Sequence, residues 1–197
     1  MKTTLTHAQM LALWRRAQGL EAVAATATVD QWDSIDVEAQ LALRMRQWYL
    51  RLLDTGDERL LATSDISGQI ALARCGEGVY TATLPAACRR LLRLDVTDDS
   101  GTSTVVVQPL EGEIPEGATR YRRRRANPWG AAAYIPARAY ARGRRLWVVC
   151  GHGAAGADAL PAVSAAEAVI DPGDEAYVLD EAALATIPAD ADLSTFV

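Results

Sequence analysis

QIALARCGEGVYTATLPAACRRLLRLDVTDDSGTSTVVVQPL, residues 69–110, is the stretch where the chain changes period. Gln69 to Arg74, Val79 to Leu84, Leu91 to Val96 and Thr104 to Leu110 each alternate weakly, as strands with one buried face do. Turn signals separate them: Cys75-Gly76-Glu77-Gly78, Asp98-Asp99-Ser100-Gly101, and the run Pro109 to Gly117 with its two prolines. Connections this short join antiparallel neighbours, because parallel neighbours need a long crossover. Further on, Tyr134 to Tyr140 and Arg145 to Cys150 read as two more strands around an Ala-Arg-Gly turn.

Before this stretch the period is helical. Residues 5–18 place Leu5, Met10, Leu11, Leu13, Trp14 and Ala17 on one stripe, with Thr6 as N-cap and Gly19 as stop. Residues 20–33 read equally as strand or as helix extension. Residues 34–54 give the clearest helix. Ser34 is a good N-cap, Asp36 and Glu38 favour the first turn, and Val37, Leu41, Met45, Trp48 or Tyr49, and Leu52 recur at helical spacing. Asp54-Thr55-Gly56-Asp57 ends it. After residue 151, Tyr177-Val178-Leu179 reads as a short strand. Asp180 then caps a short helix, Glu181 to Ala185, stopped at Ile187-Pro188.

The fold expected from this pattern is α+β: an N-terminal helical hairpin packed with a small antiparallel β-sheet or sandwich, and an irregular C-terminal tail. The expected organisation is a helical region 1–66, an antiparallel β region 67–150 and an acidic extension 151–197, together forming one compact domain.

The chain has 197 residues, half of them apolar, which excludes global disorder and supports one sizeable core. No apolar run approaches the roughly 18 residues of a membrane helix. The N-terminal segment, with His7, Gln9, Arg15 and Arg16, lacks the unbroken apolar core of a secretory signal. Three cysteines far apart are no disulfide framework, so a reduced, cytoplasmic setting is expected. The net charge of -5 hides a segregation. Residues 118–151 hold nine arginines and no acid, and residues 152–197 hold nine acids and no lysine or arginine. Two surfaces of opposite sign follow, able to pair within one subunit or between neighbours.

The chemical motifs are sparse. Cys150 and His152 bring a thiol and an imidazole close in sequence, but residues two apart on a chain seldom face each other productively. A buried strand-end cysteine is the simpler reading. Cys75, Cys88, Cys150 and His152 contain no close pair of zinc ligands. Gly151, Gly153 and Gly156 match G-x-G-x-x-G in spacing, without a helix opening behind them or a P-loop lysine. No Gly-x-Ser-x-Gly is present. No catalytic residue, cofactor or metal is therefore expected. The sharpest local feature is the basic run Arg120, Tyr121, Arg122, Arg123, Arg124, Arg125, with Trp129 close behind it. It suits either a protein contact anchored by the tryptophan or a salt-sensitive phosphate contact with nucleic acid.

The segment Tyr80-Thr-Ala-Thr-Leu84-Pro85 to Arg90-Leu-Leu-Arg-Leu-Asp95-Val96 resembles the Y-x-L-P-x-D-F-x-R-L-x-x-V segment of head–tail connector proteins of tailed phages, the adaptor or tail tubular proteins. Pro136 to Tyr140 and Gly143 to Val148 are similar to a proline–aromatic strand and the G-x-x-L-x-L strand found further along in that family. The resemblance implies a non-enzymatic virion protein that forms a ring with copies of itself beneath the portal. Its other partners would be portal and tail proteins, with DNA passing through the ring without sequence readout and no membrane involved. Such a protein is cytoplasmic during assembly and then part of the virion. A ring needs head-to-tail contacts between unlike patches. Arg120, Arg122, Arg123, Arg124, Arg125 and Trp129 are the expected basic side, and Asp171, Asp174 and Glu175 the acidic side. The alternative is a nucleic-acid-binding accessory protein that uses the Arg120–Arg125 block.

Overall fold

A computed structural model describes residues 2–20, 37–76, 78–98, 101–113, 137–150 and 160–188. The chain forms two compact units. One comprises residues 1–62 and 171–197, and the other is the continuous span 63–170.

In the first unit, β1 (Lys2–Thr6) pairs antiparallel with β11 (Ala176–Asp180), and Leu61 bridges to Leu179 on the other side of β11. Helix α1 (His7–Ala17) follows β1 directly. Thr6 caps it in a full capping box with Gln9, as its hydroxyl predicts. Helix α2 (Val37–Thr55) buries Leu41, Met45, Tyr49 and Leu53, one residue per turn. Trp14 meets Trp48 edge-on at 5.8 Å between the helices, and Tyr49 packs edge-on against Tyr177 of β11 at 4.9 Å. The Tyr49 hydroxyl accepts the Val178 N–H at 3.0 Å. Burial pushes both tyrosine hydroxyls above their ordinary pKa, so they stay neutral and keep bonding. Asp180 caps α3 (Glu181–Leu184), as expected from the sequence.

The second unit is a two-layer β structure. One sheet has the order β2 (Thr63–Asp65), β10 (Ala162–Ile170), β5 (Cys88–Asp98), β6 (Gly101–Val105). The other has the order β3 (Ala73–Gly76), β4 (Val79–Thr83), β9 (Arg145–Val149), β8 (Arg138–Arg142), β7 (Val107–Pro109). Their inner faces share one core. Leu94, Val96, Val105, Ala166 and Ala168 of the first sheet meet Tyr80, Ala82, Ala139, Leu146, Val148 and Cys150 from the side of the second. A smaller cluster, Val79, Leu110 and Trp147, lies on the outer face of the second sheet.

The fold expected from the sequence is corrected here. Strands take 45% of the described residues against 29% for helical turns, in three sheets with three α-helices. The two N-terminal helices do not pack on a small sheet that dominates the fold. Within their own unit they rest on the β1–β11 ribbon. Nor is the C-terminal part an irregular tail. Residues 162–170 form a strand flanked by β2 and β5, and β11 and α3 follow it. The physical reason is that β10 is alanine-rich and pairs with β5 through three register shifts, which destroy the alternation a strand would otherwise display. One connection also breaks the antiparallel rule: β7 and β8 are parallel, joined by the long span between Pro109 and Arg138. Among the described residues no helix is long and apolar enough to cross a membrane.

Candidate functional site

The turn Asp171-Pro172-Gly173-Asp174-Glu175 is built around an arginine on α2. Arg46 Nη2 bonds Asp171 Oδ2 at 2.6 Å, and its Nε reaches Asp174 Oδ1 at 2.7 Å. Asp171 also accepts the Gly173 N–H through Oδ1 at 3.0 Å, an Asx turn that sets the loop. Burial alone would lower the Arg46 pKa. The hydrogen bond and charge of Asp171, then the charge of Asp174, outweigh that and hold it above its ordinary value. Its Nη1 is buried with no hydrogen-bond acceptor among the described residues, and the guanidinium carbon lies 5.9 Å from the Tyr49 ring centroid, where the ring face attracts the cation.

Asp171 and Asp174, which the charge layout offers to a neighbour's arginines, thus bind an arginine of their own unit. Asp171 serves the fold, because only 15% of its side chain is exposed. Asp174 stays 84% exposed. Glu175 is exposed, and its carboxylate makes no hydrogen bond or ion pair among the described residues. Among the described residues the Arg46 ion pairs set one guanidinium against the three carboxylates of this turn. Nothing near Arg46 in the sequence announces this role, since its partner lies 125 residues away.

On the basic side, Arg120, Arg122, Arg123, Arg124, Arg125 and Trp129 lie outside the described residues, as do Trp32, Ser34, Asp36, His152 and the glycines of 151–156. The remaining four arginines of the basic block are described. Arg138, Arg142, Arg144 and Arg145 belong to the β8–β9 hairpin, whose two-residue loop Gly143-Arg144 is made possible by the left-handed φ of +59° at Gly143. All four are exposed.

A groove of about 250 Å³ on the first sheet is lined by Thr63, Ser64, Asp65, Arg93, Ala165, Ala166 and Glu167. Its charged groups are already bonded. Glu167 accepts the Thr63 hydroxyl at 2.6 Å, Asp65 accepts the Ser67 N–H at 2.8 Å, and Arg93 grips Asp95 with two bonds at 2.6 and 3.1 Å. The Arg93 bonds, then the Thr104 hydroxyl, hold the Asp95 carboxyl below its ordinary value. Cys150 is 1% exposed within the sandwich core, with its N–H on the Gly78 carbonyl at 3.0 Å. It is the buried strand-end thiol that the sequence suggested. Cys75 is exposed on β3, and Cys88 is half-buried with its thiol pushed up by burial.

The Asp95 shift has a definite sign. A carboxyl with a depressed folded-state pKa contributes stability that is present above the unfolded value of about 3.9, and that is lost as pH falls through the folded value. Asp95→Asn is therefore expected to be less stable than the parent at neutral pH, with the gap closing below about pH 4. Urea midpoints across the acid range check this, and a gap that stays constant into acid would rule the linkage out.

No protein-family model matches the chain, and no curated protein matches it.

Proposed function

We propose that this chain is a non-enzymatic structural subunit of the tailed-phage head–tail connector type, which assembles with copies of itself around passing DNA. The carrying observation is the charge segregation: nine arginines without an acid in 118–151, then nine acids without a base in 152–197. Closed two-fold dimers need one self-complementary patch, whereas rings need two unlike patches per subunit. Adjacent blocks of opposite sign on one chain supply such a pair. The resemblance to connector proteins supports the same reading. Its first segment falls on β4, the Pro85 turn and β5, which pass from one layer of the sandwich to the other, and its second on the β8–β9 hairpin.

The mass in solution tests this. Light scattering over a concentration series at low and high salt is expected to report association that strengthens with concentration and weakens with salt, since surface ion pairs are screened. A single-chain mass under all conditions would count against self-assembly. A second reading, nucleic-acid binding, is favoured by the five arginines of residues 120–125. It requires duplex binding whose affinity falls with salt in proportion to the phosphates contacted.

A further inference from the structure

Three arginines of the β8–β9 hairpin carry a charge that no carboxylate among the described residues balances. Arg142 and Arg145 are direct cross-strand partners, and Arg144 sits in the loop between them. Like charges in this register repel. Neutral groups alone hold two of the three. The Arg142 guanidinium lies 5.8 Å from the Trp147 ring centroid and donates to the Gly112 carbonyl at 3.3 Å. Arg144 donates twice to the Leu84 carbonyl, at 3.2 and 3.1 Å. The Arg145 guanidinium, on β9 beside the exposed Thr83 of β4, makes no hydrogen bond or ion pair among the described residues. These three arginines have no carboxylate partner there. A local arrangement that opposes folding without internal compensation is a mark of a surface built for something else.

The Asp171–Glu175 turn is the complement. Arg46 bonds Asp171 and Asp174, while the exposed Glu175 carboxylate beside the exposed Asp174 has no bond among the described residues. Hairpin and turn belong to different compact units. Each is held in shape before any contact: the hairpin by Trp147 and Leu84, the turn by Arg46 and the Asx bond of Asp171. Preorganised arginines suit interface ion pairs, because the planar fork matches a carboxylate and loses less freedom on binding.

We infer that the β8–β9 hairpin of one copy docks on the Asp171–Glu175 turn of the next, with Arg142 and Arg145 facing Asp174 and Glu175. This rests on the self-assembly reading above and names its contact. The contact is head-to-tail, since the two surfaces differ, and each copy uses both.

The experiment compares full-length variants by light scattering at low salt, with circular dichroism to show unchanged folding. Arg145→Glu and Glu175→Arg each alter a side chain with no bond among the described residues, so neither change removes a hydrogen bond or ion pair seen there. Each alone is expected to weaken association by at least about tenfold, because like charges then meet across the contact. The combined Arg145→Glu and Glu175→Arg chain is expected to recover most of the loss. If the parent associates and neither single variant weakens it, the contact is wrong while self-assembly stands. Loss of duplex DNA binding by Arg145→Glu, without rescue of association in the combined chain, would assign the hairpin to a phosphate backbone and overturn the contact. A parent chain that stays monomeric removes both the contact and the assembly reading.

Discussion

Replacing Leu146 with alanine is expected to destabilise the 63–170 unit by about 2–5 kcal/mol. Leu146 is fully buried in β9, the middle strand of the five-stranded sheet, with Ala82 opposite it on one side and Ala141 on the other. Among the described residues, five of the fifteen buried members of this core are alanines. An alanine has no side-chain torsion to swing into a void. The walls around the missing isobutyl group therefore cannot close, and the cavity cost adds to the lost transfer energy. Leu146→Val keeps most of the volume and should cost far less. Urea unfolding followed by circular dichroism measures both. A loss under about 1 kcal/mol for the alanine variant would mean that the two sheets can move together, contrary to the close packing argued here.

The second large effect is expected from Arg46→Ala, about 3 kcal/mol in the unit formed by residues 1–62 and 171–197. The change takes from Asp171, whose side chain is only 15% exposed, the guanidinium that bonds it at 2.6 Å. It also removes the cation over the Tyr49 ring and the bond that holds Asp174. The pair's own net contribution is smaller than this figure, because desolvating both ions offsets much of their attraction. What the variant exposes is the cost of a largely buried carboxylate that has lost this counter-charge. Asp171→Asn in the same chain should therefore recover part of the loss, since the amide needs no counter-charge and its oxygen still accepts the Gly173 N–H. Strict additivity of the two substitutions in thermal unfolding would refute the coupling.

What could be read along the chain follows from the range of the forces involved. Helix α2 was legible because its 19 residues carry their own period, and Leu41, Met45 and Tyr49 are buried where that period puts them. The cap at Thr6 and the cap at Asp180 were legible because each bond spans two or three residues. Strands β4 and β5 were legible through weak alternation, and β9 as a short apolar run behind the Ala-Arg-Gly turn. Strand β1 was not: Lys-Thr-Thr-Leu-Thr shows no apolar face, and its partner β11 lies at the other end of the chain. The run Thr104 to Leu110 read as one strand. It is two, because at Val106, 79% exposed, the chain leaves one sheet and enters the other.

The candidate surfaces divide in the same way. Charge segregation is a property of composition along the chain, so the sequence by itself determined that a basic and an acidic block exist. It also determined the local helices, caps and turns, which need only near neighbours. The tertiary structure decided which charges remain available. Arg46 takes Asp171 out of play from 125 residues away, and Glu175 is left unmatched among the described residues. Antiparallel pairing sets Arg142 against Arg145, where neither spacing nor composition reveals the repulsion. Whether a charge is spent or free depends on what folding brings within a few ångströms of it, because in water a counter-charge further off is screened.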